Sequence, residues 1–391
     1  MISLAIAMGV GRFAFTPMFP LMVRDGALEN EQGALLAASN YLGYLLGAML
    51  ASRIKMKPPT LLVFSLVSTA VVTAAVGWTT SIIVWTLLRL VAGIVSAWAL
   101  IATCAWSLAC LSSLRQQHLT GIIFSGVGLG IAAVGGFCAV AARFDIPASK
   151  MWVALALLAG VLALIPWVVS AQLPTGVSDV GAAAQPSTGS NPPANTIGLV
   201  ICYSLFGFGY ILPATYLPAQ ARQLVDDPNV FGWAWPIFGL AAALSTVLVS
   251  LGLKRANRLQ VWAASHVLMA VGVSLPVVWH SIASISVAAM LVGGTFMVVT
   301  MIAMQEARAR AEASATVVLA RMTAGFATGQ LFGPVIIGLL GHFSANASGT
   351  LNRGLQLASA TLLSSAIYLW KEDRCRQLFL TMSPRFAFKR N

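Results

Sequence analysis

Long apolar runs, broken only by short polar or charged segments, limit what this 391-residue chain can become. Twelve of them are legible, at approximately 2–23, 31–52, 59–78, 82–106, 119–142, 150–170, 196–220, 230–253, 259–279, 283–305, 314–340 and 351–370. A run of about 20 apolar residues crosses the roughly 30 Å hydrocarbon core of a bilayer as a helix. Helices satisfy their own backbone hydrogen bonds, which lipid cannot do. The expectation is an all-α integral membrane protein with twelve transmembrane helices. Charged residues make up 9% of the chain and gather between the runs, against about 25% in soluble domains.

Apart from Glu31 and Arg353 at run ends, no run contains an acidic residue, and three contain an arginine: Arg12, Arg89 and Arg321. A cation inside a membrane is costly and is kept where it faces water, a partner or a ligand. The leading expectation is a secondary active transporter of a small solute, an organic anion or metabolite. A proton-coupled exporter of lipophilic drugs or metabolites is the alternative. A membrane sensor or scaffold without transport is the alternative of another class. No Ser/His, paired Asp or HExxH constellation lies within the runs, so an enzyme is not expected. No GxxxxGK[ST] loop is present, and the scattered cysteines and histidines form no metal spacing. No cofactor is expected, and the chain is expected to work as a monomer in the bilayer.

The net charge of +12 reflects orientation rather than nucleic-acid binding. With the N-terminus inside, fifteen Lys and Arg fall on the inner side and five on the outer side. Cytoplasmic loops carry this excess in membrane proteins. A plasma membrane location, the bacterial inner membrane, with both termini cytoplasmic, is therefore expected. Residues 371–391 read as a basic cytoplasmic tail.

Residues 171–195, rich in Pro, Gly, Ser and Thr, read as a linker between half 1–170 and half 196–370. The halves repeat. At an offset of 198, Gly9, Gly11 and Pro20 match Gly207, Gly209 and Pro218. At 199, Gly33 and Lys55 match Gly232 and Lys254, and Gly126 and Gly130 match Gly325 and Gly329. Two parallel six-helix repeats place a binding site between them near the midplane.

The 6+6 spans, the polar central loop and LASRIK at 50–55 resemble the major facilitator superfamily over essentially the whole length. In LASRIK, Arg53 and Lys55 resemble that family's L-A-D-R loop motif, with Ser52 where an aspartate usually stands. Arg89 and Gly93 resemble its R-x-x-x-G motif. GVGRFAFTPMFPLM at 9–22 and SNYLGYLLGA at 39–48 are similar to the YbfB/YjiJ-type group. The resemblance implies alternating access by rocking of the halves. It implies a role for Arg89 in coupling, and a differently latched inner gate at Ser52. Gly135 and Gly136 stand where the antiporter motif would place a proline, which weakens a drug-antiporter reading.

Among the candidate site residues, Arg12 lies about 15 Å deep at 1.5 Å per residue. It either contacts an anionic substrate group through its planar fork or bonds to carbonyls of a neighbouring helix. Thr16, one turn on, is expected to share its face. Arg89 heads a polar stripe with Gly93, Ser96 and Thr103, facing either a cavity or another helix. Asn40 and Tyr44 are one turn apart and either donate to substrate or form a small-residue seam. Tyr203 and Tyr210 share a face, with Tyr210 matching Arg12 across the repeat. Arg321 and Gln330 are on opposite faces of their helix. Gln330 is expected inward, and Arg321 to snorkel or to pair with Glu306 or Glu312. Gly126, Gly130, Gly325, Gly329 and Gly333, followed by Pro334, read as packing and gating surfaces. Trp78, Trp152, Trp167, Trp279 and Trp370 read as interfacial residues. Among acids, Glu31, Glu306 and Glu312 are nearest the membrane, and a proton riding on a weak-acid substrate is the first coupling scheme.

Overall fold

A computed structural model describes residues 1–172, 196–224, 233–253, 256–279, 281–311, 314–342 and 347–387. The expected linker lies outside the described residues, apart from the end of the sixth helix. Twelve long helices fill the described chain: α1 (Ile2–Arg24), α2 (Asn30–Ala51), α3 (Pro58–Trp78), α4 (Ile82–Ser113), α5 (Thr120–Ala142) and α6 (Ala148–Gln172) in the first half. The second half holds α7 (Ile197–Leu224), α8 (Ala234–Gly252), α9 (Arg258–Val278), α10 (Ile282–Arg310), α11 (Ala315–His342) and α12 (Ala347–Ala387). Ten of them, α1 to α10, hold an apolar window long enough to cross a membrane.

Local chemistry sets the ends. Glu29 and Gln32 form a reciprocal capping box at the start of α2. Asn257 and Ser281 accept from the first-turn amides of α9 and α10. Pro58 occupies the first turn of α3, where its missing N–H costs nothing. Gly26, at φ +68°, turns the chain out of α1. Asp25 accepts the amide of Ala148 at 2.6 Å and so ties the start of α6 to the end of α1.

The two halves pack alike. In the first, α4 packs on α2 and α3, α6 on α3, and α5 on α1. In the second, α10 packs on α8 and α9, α12 on α9, and α11 on α7. The halves meet along α5 with α8 and α2 with α11.

Glycines permit the closest crossings. A Cβ on Gly130 would strike the backbone of Ala5 and Gly9, and one on Gly329 that of Ser204 and Phe208. Gly126 abuts Met1, Gly325 abuts Val200 and Ser204, and Gly333 abuts Ile211. These five therefore seat α5 on α1 and α11 on α7, each inside one half. A second row on α5, with heptad spacing, faces the other half: Gly121 meets Thr246 and Ser250, Gly128 meets Gly239 and Ala243, and Gly135 meets Pro236.

Several expectations need correction. α4 runs seven residues past the expected 106, and α10 five past 305. The longer α10 takes Glu306 into its last turn, 4% exposed. Glu306 pairs with Arg310 at 2.8 Å and Arg258 at 3.8 Å, not with Arg321, which is exposed; Glu312 lies outside the described residues. The expected tail is no separate segment up to Ala387, because nothing between Gly354 and Pro384 breaks the α12 helix. Its first turn is anchored: Glu372 accepts from Arg310, and Asp373 accepts from Asn257 and Gln260. Trp152 is buried and donates to the Met22 sulfur at 3.4 Å, unlike exposed Trp78, Trp167, Trp279 and Trp370.

Candidate functional site

α1 is not a uniform α-helix. Residues Ala5–Phe13 form a π-helix between an α-turn and the α-helical Phe15–Arg24. The wider turn changes which residues stack above one another, and such segments recur at functional sites. Arg12 lies at its end, 4% exposed. Thr16, expected on the same face, is exposed instead. The i, i+4 rule assumed α-helical winding that the preceding residues lack.

Arg89 and Ser96, two turns apart on α4, serve this irregular backbone. Arg89 donates to the carbonyls of Gly11 (3.4 Å) and Arg12 (3.3 Å), and Ser96 to that of Ala7 (2.9 Å). The Arg89 guanidinium also lies 4.7 Å from the centre of the Phe15 ring. In its stripe, Ser96 faces α1 and Gly93 faces α2, and the buried Thr103 hydroxyl has no hydrogen-bond partner among the described residues. Asn40 donates to the Arg89 carbonyl at 3.0 Å, and Gly93 abuts the backbone of Asn40 and Tyr44. Asn40 and Arg89 thus occupy helix-packing positions.

Arg12 looks the other way, toward the second half. Its terminal nitrogen donates to the side-chain oxygen of Gln330 on α11. Tyr44 lies against it, 3.7 Å from guanidinium carbon to ring centre. Phe13, Phe326 and Tyr41 stand at 5.6, 5.7 and 5.9 Å. Gln330 is fully buried, and Pro334, one turn on, cannot donate to its main-chain carbonyl. Two buried donors here, Arg12 Nε and Gln330 Nε2, have no hydrogen-bond partner among the described residues.

An aromatic wall continues from this pair. Tyr210 stacks on Phe296 at 4.3 Å, and Tyr203 on Phe326 at 5.1 Å while donating to Thr300 at 3.3 Å. Phe13 makes edge contacts with Phe296 and Trp235 of the other half. Tyr210 and Arg12, matched across the repeat, therefore converge on Phe326.

A model of the family described as the uncharacterised MFS-type transporter YbfB matches residues 4–369. The chain belongs to that family. It is a multi-pass membrane transporter of the major facilitator superfamily, with the 6+6 helix layout of that fold. The crystal structure of the human organic anion transporter MFSD10 (TETRAN) is similar in fold, with a TM-score of 0.67 at 14% identity. The match covers 94% of this chain and 97% of that one. No curated protein matches the chain.

On the face that bears Met1 and the loop after α2, four bonds among the described residues join the halves of this transporter, one of them from Ser250 Oγ to the His118 carbonyl (2.5 Å). Arg308 donates to the Ala105 carbonyl (3.1 Å), Arg258 to Gln117 (3.1 Å), and the Gly121 amide to Ser250 (3.0 Å). On the same face, Ser52 lines a void of about 30 Å³ with Thr316, in the first turn of α11. Arg53 and Lys55 of that loop are exposed.

Sequence reasoning missed Phe13, Tyr41, Phe296 and Phe326. Two signals were available: Phe326 is one helical turn before Gln330, and Tyr41 flanks Asn40 and Tyr44.

Proposed function

We propose that the chain is a secondary transporter of a small organic anion, carried by rocking of its two halves about the Arg12–Gln330 contact. The observation that carries this reading is the pair of buried, unpartnered donors on opposite halves. A buried donor without an acceptor costs about 1–3 kcal/mol. An oxyanion accepts from both Arg12 Nε and Gln330 Nε2 and neutralises the guanidinium. Binding there engages both halves at once, which is what a solute must do to favour their joint movement.

The charge asymmetry supports a cytoplasmic location for the face that bears Arg53, Arg115 and Arg258, in the bacterial inner membrane. The acids among the described residues stand at helix ends, in loops or, as Glu372 and Asp373, within α12 beyond its expected span. A proton riding on a weak-acid substrate therefore supplies the simplest coupling.

The aromatic wall favours a second reading, export of lipophilic solutes, in which Arg12 is structural. Thermal unfolding of the purified protein separates the two, with organic anions, lipophilic cations and neutral sugars as ligands. A ligand that binds only the folded protein raises the unfolding temperature. Anions are expected to stabilise the wild type and not Arg12→Gln. Equal stabilisation of both proteins by cations or neutral compounds overturns the anion reading. Solute accumulation in proteoliposomes then separates a transporter from a sensor that only binds.

A further inference from the structure

Resting on the anion reading of the Arg12–Gln330 contact, we infer that the substrate is an aromatic monocarboxylate, a flat ring bearing one carboxylate. Two observations carry it, the number of free charges and the composition of the walls.

Among the described residues only two Arg or Lys side chains are buried deep in the helices, Arg12 and Arg89, while the fully buried His266 on α9 accepts from Trp262 through its Nε2. Arg89 is committed. Its two terminal nitrogens donate to the carbonyls of Gly11 and Arg12, and its plane lies against Phe15. Arg12 alone faces the second half, so the site neutralises one negative charge. A second carboxylate would enter a region walled by Tyr44, Phe326 and Phe13 with no cation left to meet it, and an unpaired buried charge is strongly disfavoured.

The walls set the rest of the molecule. Four aromatic rings lie within 6 Å of the Arg12 guanidinium, Phe13, Tyr41 and Tyr44 from the first half and Phe326 from the second. Phe13 already makes edge contacts with Phe296 and Trp235 across the halves, an arrangement that a ligand ring can take over as the halves part. Offset and edge-to-face contacts favour an aromatic ring over an aliphatic one of the same size. An aryl carboxylate also holds its charge rigidly coplanar with its ring, so little rotational freedom is lost on binding.

The test is thermal unfolding of the purified full chain with four probes. Benzoate is the expected ligand. Cyclohexanecarboxylate keeps the charge and size but loses the ring faces. Phthalate adds a second carboxylate, and benzamide removes the charge. Benzoate is expected to raise the unfolding temperature, cyclohexanecarboxylate to need about tenfold more for the same shift, and phthalate and benzamide to have no effect. Phe326→Leu, which keeps an apolar side chain, is expected to narrow the gap between benzoate and cyclohexanecarboxylate.

Equal action of those two acids on the wild type overturns the aromatic assignment and leaves the anion reading standing. Stronger binding of phthalate overturns the single-charge assignment alone. Benzamide acting as well as benzoate overturns the anion reading itself, and silence from all four probes overturns the aromatic monocarboxylate assignment, with the wider panel of organic anions deciding the anion reading.

Discussion

The guanidinium of Arg12 lies over the ring of Tyr44, 3.7 Å from its centre, while its terminal nitrogen reaches Gln330 on the other half. One side of the cation is thus held by α2 and the other by α11. A desolvated cation–π contact contributes about 2 kcal/mol or more, enough to offset much of the cost of placing an arginine at this depth.

Tyr44→Leu removes the ring face but keeps an apolar side chain. Stability is expected to fall by about 2 kcal/mol, and Tyr44→Phe to fall far less. Unfolding temperatures of the two variants in detergent check this. Equal losses would assign the effect to the hydroxyl instead.

Arg89→Lys retains the charge but replaces a fork with a point donor. A lysine cannot serve the carbonyls of Gly11 and Arg12 as two separate nitrogens do. A loss of about 1–3 kcal/mol is expected, with ligand affinity nearly unchanged in protein that remains folded. A selective fall in affinity at wild-type stability would place Arg89 on the solute.

Gly128→Leu puts a side chain against Gly239 and Ala243 at the crossing of the two halves. Overpacking of this kind costs about 1–3 kcal/mol. Because the crossing lies between halves rather than within one, uptake into proteoliposomes is expected to fall more sharply than the unfolding temperature. Normal uptake would mean that α5 and α8 do not stay in contact during transport.

Glu306→Gln leaves Arg310 with Glu372 as its charged partner. The expected loss lies below the about 3–5 kcal/mol of breaking a lone buried pair. Salt is expected to change it little, since Glu306 and Arg310 are both largely covered. Unfolding at low and high ionic strength measures both points.

The count of helices, most of their ends, the two halves and the glycine rows inside each half are legible in the chain, whereas the extensions of α4 and α12 and the row Gly121, Gly128 and Gly135 between the halves are not. Apolar runs and small-residue spacing report directly on what lipid and close helix contact require. Arg12 and Gln330 also stood out as polar groups at membrane depth. What was not legible is illustrated by Thr16 and Arg89. α-Helical arithmetic sets Thr16 beside Arg12, and the π-helix of residues Ala5–Phe13 invalidates that arithmetic. The sequence leaves Arg89 open between cavity and packing, and the carbonyls that decide for packing are those the π-helix offers to α4.

The sequence by itself determined a twelve-helix membrane protein with a repeat, because hydrophobic length and periodicity are local properties of the chain. Only the tertiary structure decided which polar groups meet. Arg12 and Gln330 are 318 residues apart, and their contact depends on how α1 winds and how the two halves dock, neither of which any local run of residues encodes.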